Sequence, residues 1–201
     1  MAFWAENFGD DASLRDPKRN FRFKVEFSNV DSKTGGPILW FAKSVNKPSF
    51  TVANAEHKYL NHTFYYPGSV TWNEITIELV DPVDPDVAAT ISSIVQESGY
   101  SPPSDVNSLG TMSKAGAASS LGQVFVSQID GTGQTIEKWT LWNAWVQDVK
   151  YGDLEYGNDE LTNISVVLRY DWARLETNTA GSVTAGGAGV NNFFTPDGSS
   201  V

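Results

Sequence analysis

His57 and His62 are the only histidines of this 201-residue sequence, and it holds no cysteine. Set five apart in strand-like sequence, they are expected on opposite faces, where they cannot share a metal ion. The lack of cysteine removes disulfide frameworks, thiol catalysis and Cys-ligated metal centres together, and fits a reducing compartment. Asp81, Asp84 and Asp86 have a spacing that suggests calcium, but the prolines between them and the helix that starts there explain them as caps. Asp153, Glu155, Asp159 and Glu160 form an acidic turn without a base, the composition of a solvated hairpin tip rather than of paired catalytic carboxylates. The sequence has no G-x-S-x-G elbow, Walker A loop, G-x-G-x-x-G turn or H-E-x-x-H helix. No catalytic residue, metal site or cofactor is therefore expected, and the chain does not read as an enzyme.

Charge points away from a second large class. With 14 Lys and Arg against 24 Asp and Glu the net charge is -10, the wrong sign for gripping nucleic-acid phosphates. Residues 1–16 hold four acids and one base and 176–201 hold two acids, which leaves 18 acids against 13 bases for the body. Met1 to Asp11 is acidic where a signal peptide carries positive charge, so no secretory leader is expected. The longest apolar run, Ile38 to Ala42, is far short of the roughly 20 residues that cross a bilayer.

Most of the sequence that must position these groups reads as strand. In Phe21 to Phe27, Phe21, Phe23, Val25 and Phe27 alternate with Arg22, Lys24 and Glu26, and Ile164, Val166, Leu168, Tyr170 and Trp172 repeat the pattern near the end. These two strands are expected to share one core. Between them Ile38 to Ser44, Thr51 to Tyr66, Val70 to Val80, Val124 to Ile129 and Trp139 to Tyr151 read as strands, with turns at Gly35-Gly36-Pro37, Pro67-Gly68 and Gly131-Thr132-Gly133. One helix is predicted: Asp84 as N-cap, Pro85 at the first position, Val87, Ile91, Ile94 and Val95 as an apolar stripe, and Gly99 at the C-terminus. Ser101 to Gly122 has no periodicity and reads as an excursion or a partner-binding loop. Residues 177–201, rich in Gly, Ser, Thr and Ala, read as a flexible tail in which Phe193 and Phe194 alone look able to dock.

The run from Trp139 to Val149 is apolar on both faces: Trp139, Leu141, Trp145 and Val149 on one, Trp142, Ala144 and Val146 on the other. Such a strand calls for burial on both sides, within the subunit or against a neighbour. From composition alone, seven Trp and seven Tyr in an acidic β protein first suggest a carbohydrate-binding sandwich, and self-assembly second.

The order and spacing of several segments resemble the tail tube proteins of contractile-tailed bacteriophages, over Pro17 to Glu176. Arg19 to Phe27 is similar to that family's opening strand, Phe41 to Val52 (FAKSVNKPSFTV) to the next strand and its Pro-containing bend, and Gly68 to Asp81 (GSVTWNEITIELVD) to the strand before its single helix. Lys138 to Asn143 (KWTLWN), a hairpin through Leu154 to Glu160, and Ile164 to Trp172 (ISVVLRYDW) carry the more specific part. The stretch 101–122 and the Gly-rich tail depart from the compact members. The resemblance implies a mainly β subunit, a two-sheet barrel or sandwich with one flanking helix, divided into an arm at 1–16, the β domain at 17–176 with its loop at 101–122, and the tail at 177–201. It implies hexameric rings stacked into a hollow tube inside a contractile sheath, with itself, sheath and baseplate proteins as partners. Phage DNA would pass through the lumen without specific binding, and the protein would sit in the virion tail, assembled in the host cytoplasm, without inserting into a membrane. Baseplate tube initiators, tail terminators and the tubes of bacterial injection systems share the fold.

On that reading Tyr59, Phe64, Tyr65 and Tyr66, which cover both faces of their segment, are candidates for a subunit interface, and so is Trp142. If Val70 to Val80 belongs to the inner wall, Trp72, Glu74, Thr76 and Glu78 share one face, making Glu74 and Glu78 candidates for lining the lumen. Asp148 and Asp153 are weaker candidates for the same surface.

Overall fold

Alternation at period two, interrupted at a few defined residues, builds the fold. A computed structural model describes residues 18–29, 42–84, 86–102, 110–157, 159–177 and 191–194. The expected turn at Gly35-Gly36-Pro37, the start of the strand at Ile38, Pro85, the N-terminal arm and most of the tail lie outside them.

The first sheet carries β1 (Phe23–Phe27), β6 (Val124–Ile129), β7 (Thr135–Trp142), β10 (Trp172–Thr177) and β11 (Asn191–Phe193) in the order β1-β6-β7-β10-β11. The second carries β2 (Ala42–Val45), β5 (Ile75–Val80), β8 (Trp145–Lys150) and β9 (Asn163–Arg169) in the order β2-β5-β9-β8. All pairings are antiparallel. A separate ribbon pairs β3 (Phe50–Tyr59) with β4 (His62–Trp72).

The core lies between the two larger sheets. Val25, Phe27, Val124, Val126, Leu141 and Ala173 enter it from the first sheet, and Ile75, Ile77, Leu79, Ile164, Val166 and Leu168 from the second. The first and last major strands thus share one core, as their matching patterns require, although Phe21 is exposed before β1 begins. Each fully buried aliphatic side chain contributes about 1.5–3 kcal/mol relative to exposure.

Helix α1 (Val87–Glu97) covers the core with Val87, Ile91 and Ile94. Its N-cap is Asp86, two residues beyond the expected Asp84; the Asp86 side chain accepts from the Ala89 N–H at 2.8 Å. Asp81 accepts from the Ala88 N–H at 3.4 Å, so capping employs two of the three aspartates. Gly99 follows the helix at φ +109°, where its N–H donates to the Gln96 carbonyl. A second helix, α2 (Lys114–Leu121), occupies part of the stretch read as an excursion. Its sequence, KAGAASSL, buries only Ala117, Ser120 and Leu121, and so it presents no apolar stripe to read.

Several long strands of the sequence reading are broken. Trp139 to Val149 is not one strand: Asn143, at φ +53°, and Ala144 carry the chain from β7 in the first sheet to β8 in the second. Trp139 and Leu141 face the core from β7 and Val146 and Val149 from β8, while Trp142 and Trp145 lie on the outer faces, so neither of the two expected apolar faces survives intact. Likewise Ile164 to Trp172 crosses sheets after Arg169, and Trp172 lies on the outer side of β10, opposite Trp142, rather than in the core. Val70 to Val80 divides at Asn73-Glu74 into β4 and β5, and Trp72 is separated from the β5 face to which it was assigned. Pro67-Gly68 is not a turn. It lies within β4 beside a bulge opposite β3, where a Cβ on Gly68 would come within 3.0 Å of the Ala53 carbonyl oxygen. The reversal occurs instead at Leu60-Asn61, with Leu60 at φ +53°.

Asn143 tolerates its left-handed backbone better than most residues and donates its Nδ2 to Asp171 Oδ2 at 2.8 Å. Asn143→Val, β-branched in that conformation, is expected to cost about 2 kcal/mol, whereas Asn143→Gly relieves the backbone and costs less. Urea denaturation of the two variants beside the parent checks the order.

Candidate assembly surfaces

The 23 residues from Phe50 to Trp72 form a ribbon on which every side chain but Trp72 is exposed. Its register pairs Tyr59 with His62, His57 with Phe64, Glu56 with Tyr65 and Ala55 with Tyr66. Directly opposed residues share a face, so Tyr59, His57, His62, Phe64 and Tyr66 lie on one side and Glu56, Lys58 and Tyr65 on the other. Tyr59, Phe64, Tyr65 and Tyr66 therefore present aromatic surface to both sides and are 49–64% exposed. The two histidines share a face because the chain reverses between them, contrary to the expectation for one straight strand. No group of three or more metal-ligating side chains occurs among the described residues.

Trp142 is half-buried on the outer face of the first sheet. The Arg174 guanidinium lies 4.3 Å from its ring centre, and Trp172 stacks beside it at 6.2 Å with an interplanar angle of 13°. The more exposed ring at this place is Trp172. Trp142 Nε1 and Arg174 Nε are buried without a hydrogen-bond partner among the described residues.

Of the acidic candidates, Glu78 and Asp148 fall on the outer face of the second sheet and Glu74 lies beside it. Register places Glu78 opposite Ser165, and Ser165 opposite Lys150; Thr76, Val167 and Asp148 form the next row. Glu78 Oε2 accepts from Ser44 Oγ at 3.0 Å. Glu74, in the connection before β5, lies 3.7 Å from Arg169 Nη1, whose residue pairs with Trp145 on the same face. Asp153 is exposed in the loop after β8, apart from that sheet face. The face thus combines Glu74, Glu78 and Asp148 with Arg169 and Lys150.

The ribbon is anchored at its root by a carboxylate that sequence reasoning did not single out. Glu137 of β7 points to the core side and receives Lys18 Nζ, Lys47 Nζ at 2.6 Å and Trp139 Nε1 at 2.8 Å. Lys47 also donates to Gln128 Oε1 at 2.8 Å. Lys47 stands three residues before β3 and so ties the ribbon to the first sheet. Burial alone would raise the Glu137 pKa, but the hydrogen bonds from Lys18, Lys47 and Trp139 outweigh it and hold the group at about 2. A cleft of about 620 Å³ lies beside the root, among Val70, Trp72, Met112, Lys114, Trp145 and Arg169. Lys114 is engaged with Asp171 at 2.7 Å, and Tyr170, pushed up to about 12 by burial, stays neutral at physiological pH. Among the described residues that line the cleft, no nucleophile is paired with a base.

This architecture of two packed antiparallel sheets with helices at one side recurs among components of contractile injection systems. No family model matches the chain, and no curated protein matches it in sequence. Among solved structures, it matches the tube-terminating cap of the anti-feeding prophage with a TM-score of 0.60 and 14% identity, covering 88% of this chain and 99% of that one. A chain of the sheath–tube complex of the extracellular contractile injection system PVC, in the extended state, matches with a TM-score of 0.56 and 14% identity over 85% and 99%. A chain of the anti-feeding prophage baseplate matches with a TM-score of 0.56 and 15% identity over 80% and 96%. At these identities the fold is what is shared.

Glu137 predicts a pH dependence. Its folded pKa of about 2 lies below its ordinary 4.5, so the stability it contributes is complete above about pH 4.5 and lost as pH falls through 2. The difference in denaturation midpoint between the parent and Glu137→Gln is expected to be constant above pH 5 and to narrow toward pH 2. A difference that stays level throughout removes the carboxylate from this role.

Proposed function

We propose that this protein is a non-enzymatic structural subunit of a contractile tail tube, forming hexameric rings that stack into a hollow conduit. The observation that carries the reading is the Phe50–Trp72 ribbon, exposed on both faces while bearing Tyr59, Phe64, Tyr65 and Tyr66. A two-stranded ribbon is marginal in water by itself, and apolar surface of this kind is normally covered by a partner. Stacked rings offer that cover through head-to-tail contacts along the axis. The shared fold with tube-associated chains over more than four fifths of the sequence supports the same reading.

The second-sheet face that holds Glu74, Glu78 and Asp148 is the proposed wall of the lumen, where six copies repeat each carboxylate around the bore. That arrangement suits DNA that must slide rather than adhere. Sheath and baseplate proteins are the proposed external partners, and the virion tail, assembled in the host cytoplasm, the proposed location. No described helix is long and apolar enough to cross a membrane. The match to a tube-terminating cap favours a second reading, in which the chain closes a tube without extending it. A baseplate initiator would in turn template a tube made by another chain.

Negative-stain microscopy of concentrated protein is expected to show rings and hollow tubes. Rings that never elongate support the terminator or initiator role, and persistent monomers that bind polysaccharide support a carbohydrate-binding module. Tyr65→Ser with Tyr66→Ser is expected to abolish tubes while the subunit stays folded, because neither ring belongs to the core. Glu74→Lys with Glu78→Lys is expected to leave tubes intact yet slow DNA ejection, most strongly at low salt where phosphate attraction is least screened.

A further inference from the structure

The last strand and the residue after it occupy a place that chain connectivity does not impose. Asn191, Asn192 and Phe193 pair with Thr177, Glu176 and Leu175 and so continue the first sheet past β10. Phe194 then adopts φ +63°, a left-handed backbone that disfavours so large a side chain. Its ring meets Trp72 edge-on at 5.5 Å and Phe50 at 5.8 Å. Those two residues are the register pair that closes the base of the ribbon, with centroids 5.1 Å apart, and Trp72 lies 6.1 Å from the buried Tyr170. Between Thr177 and Asn191 the sequence has 13 residues, four of them glycine. A stretch of that length spans up to about 45 Å when extended. Covalent linkage therefore permits residues 191–194 many positions, and non-covalent contacts select this one.

We propose that the edge of β10, together with the notch between Phe50 and Trp72, is a peptide-binding site for an extended segment ending in paired aromatics, and that its occupant is this chain's own Asn191–Phe194. Main-chain pairing along β10 supplies affinity, and the Phe194 ring in the notch supplies selectivity, as in other strand-addition sites. Occupancy has two consequences. It covers a sheet edge that would otherwise be a template for uncontrolled pairing. It also braces the root of the ribbon at the Phe50–Trp72 pair, fixing the direction in which the aromatic tip is presented. The second consequence rests on the proposed role of the ribbon in stacking; the binding site itself does not.

The test uses the full-length protein at concentrations where it is unassembled. In Phe194→Ala, amide hydrogen exchange at Thr51, Val52, Val70 and Thr71 is expected to accelerate about tenfold, the loss of two aromatic contacts, with a smaller change in Phe194→Leu. A synthetic peptide of residues 189–196, GVNNFFTP, added in excess to Phe194→Ala is expected to restore protection saturably, and the same peptide with alanine at position 194 is not. Unchanged exchange in Phe194→Ala, or a parent peptide that restores nothing, overturns the proposal. If Phe194→Ala does not fold, the same two readings on Phe194→Leu decide it. Both readouts precede assembly, so a parent protein that forms no tubes refutes the proposed function and leaves this site standing.

Discussion

The two direct strand-to-strand crossings between the sheets, β7 to β8 and β9 to β10, occur at one corner, and the Asp171 carboxylate is common to them. It accepts Lys114 Nζ at 2.7 and 2.8 Å and Asn143 Nδ2 at 2.8 Å, while the Asp171 N–H donates to the Trp142 carbonyl at 3.1 Å. The first turn of α2, the β7–β8 crossing and the β9–β10 crossing are thereby held as one unit. The hydrogen bond from Lys114, against a smaller burial cost, keeps Asp171 below the usual carboxylate range, so its carboxylate is ionised near neutrality. Register makes this corner consequential. A strand slipped by one residue exchanges its two faces, and β8 and β10 leave the corner in different sheets with their core faces already set. Ala144 and Ala173, both fully buried, show how little room the crossings leave.

From that frame the ribbon extends, and its anchors among the described residues lie at its root. Lys47 bonds to Glu137, and the Phe50, Trp72 and Phe194 rings meet at the base of the ribbon. The direction of the ribbon is therefore set by a small number of contacts near the core, while in the proposed stacking its stability as a ribbon depends on the neighbouring ring. An element arranged in this way couples its own order to association: the aromatic faces gain little in the isolated subunit and contribute area only when a second surface removes water from both sides.

The sequence made the fold class legible because period two survives wherever one face is buried. Val124–Ile129 and the Val87, Ile91, Ile94 stripe emerged with the right type and place. What misled was continuity. Where a strand leaves one sheet and enters the other, both segments remain apolar, so Trp139 to Val149 and Ile164 to Trp172 looked like single strands, and only the left-handed Asn143 marks the first break. Helix α2 was invisible for the opposite reason, since Ala, Gly and Ser at its buried positions carry no hydrophobic contrast. Pro67-Gly68 has turn chemistry but serves a bulge, while the real reversal uses Leu60-Asn61, a pair with a weaker turn signal. Glu137 could not be found at all by motif, because its partners Lys18 and Lys47 are 119 and 90 residues away in the chain.

The outer face of the second sheet also refines the electrostatic argument. The body of the chain is acidic, yet this face sets three carboxylates beside Arg169 and Lys150, and the cation nearest to Glu74 lies within 3.7 Å of it. A phosphate approaching Arg169 must compete with a carboxylate already beside it, and the rows between carry Thr76, Ser165 and Val167, which hold no charge. Strong uniform negative charge would repel DNA from the entrance of a channel as well as from its wall; exposed unpaired cations would hold it there. A weakly acidic face with its arginine compensated avoids both. In the proposed orientation, low adhesion arises from this local pairing of charges rather than from the net charge of the molecule.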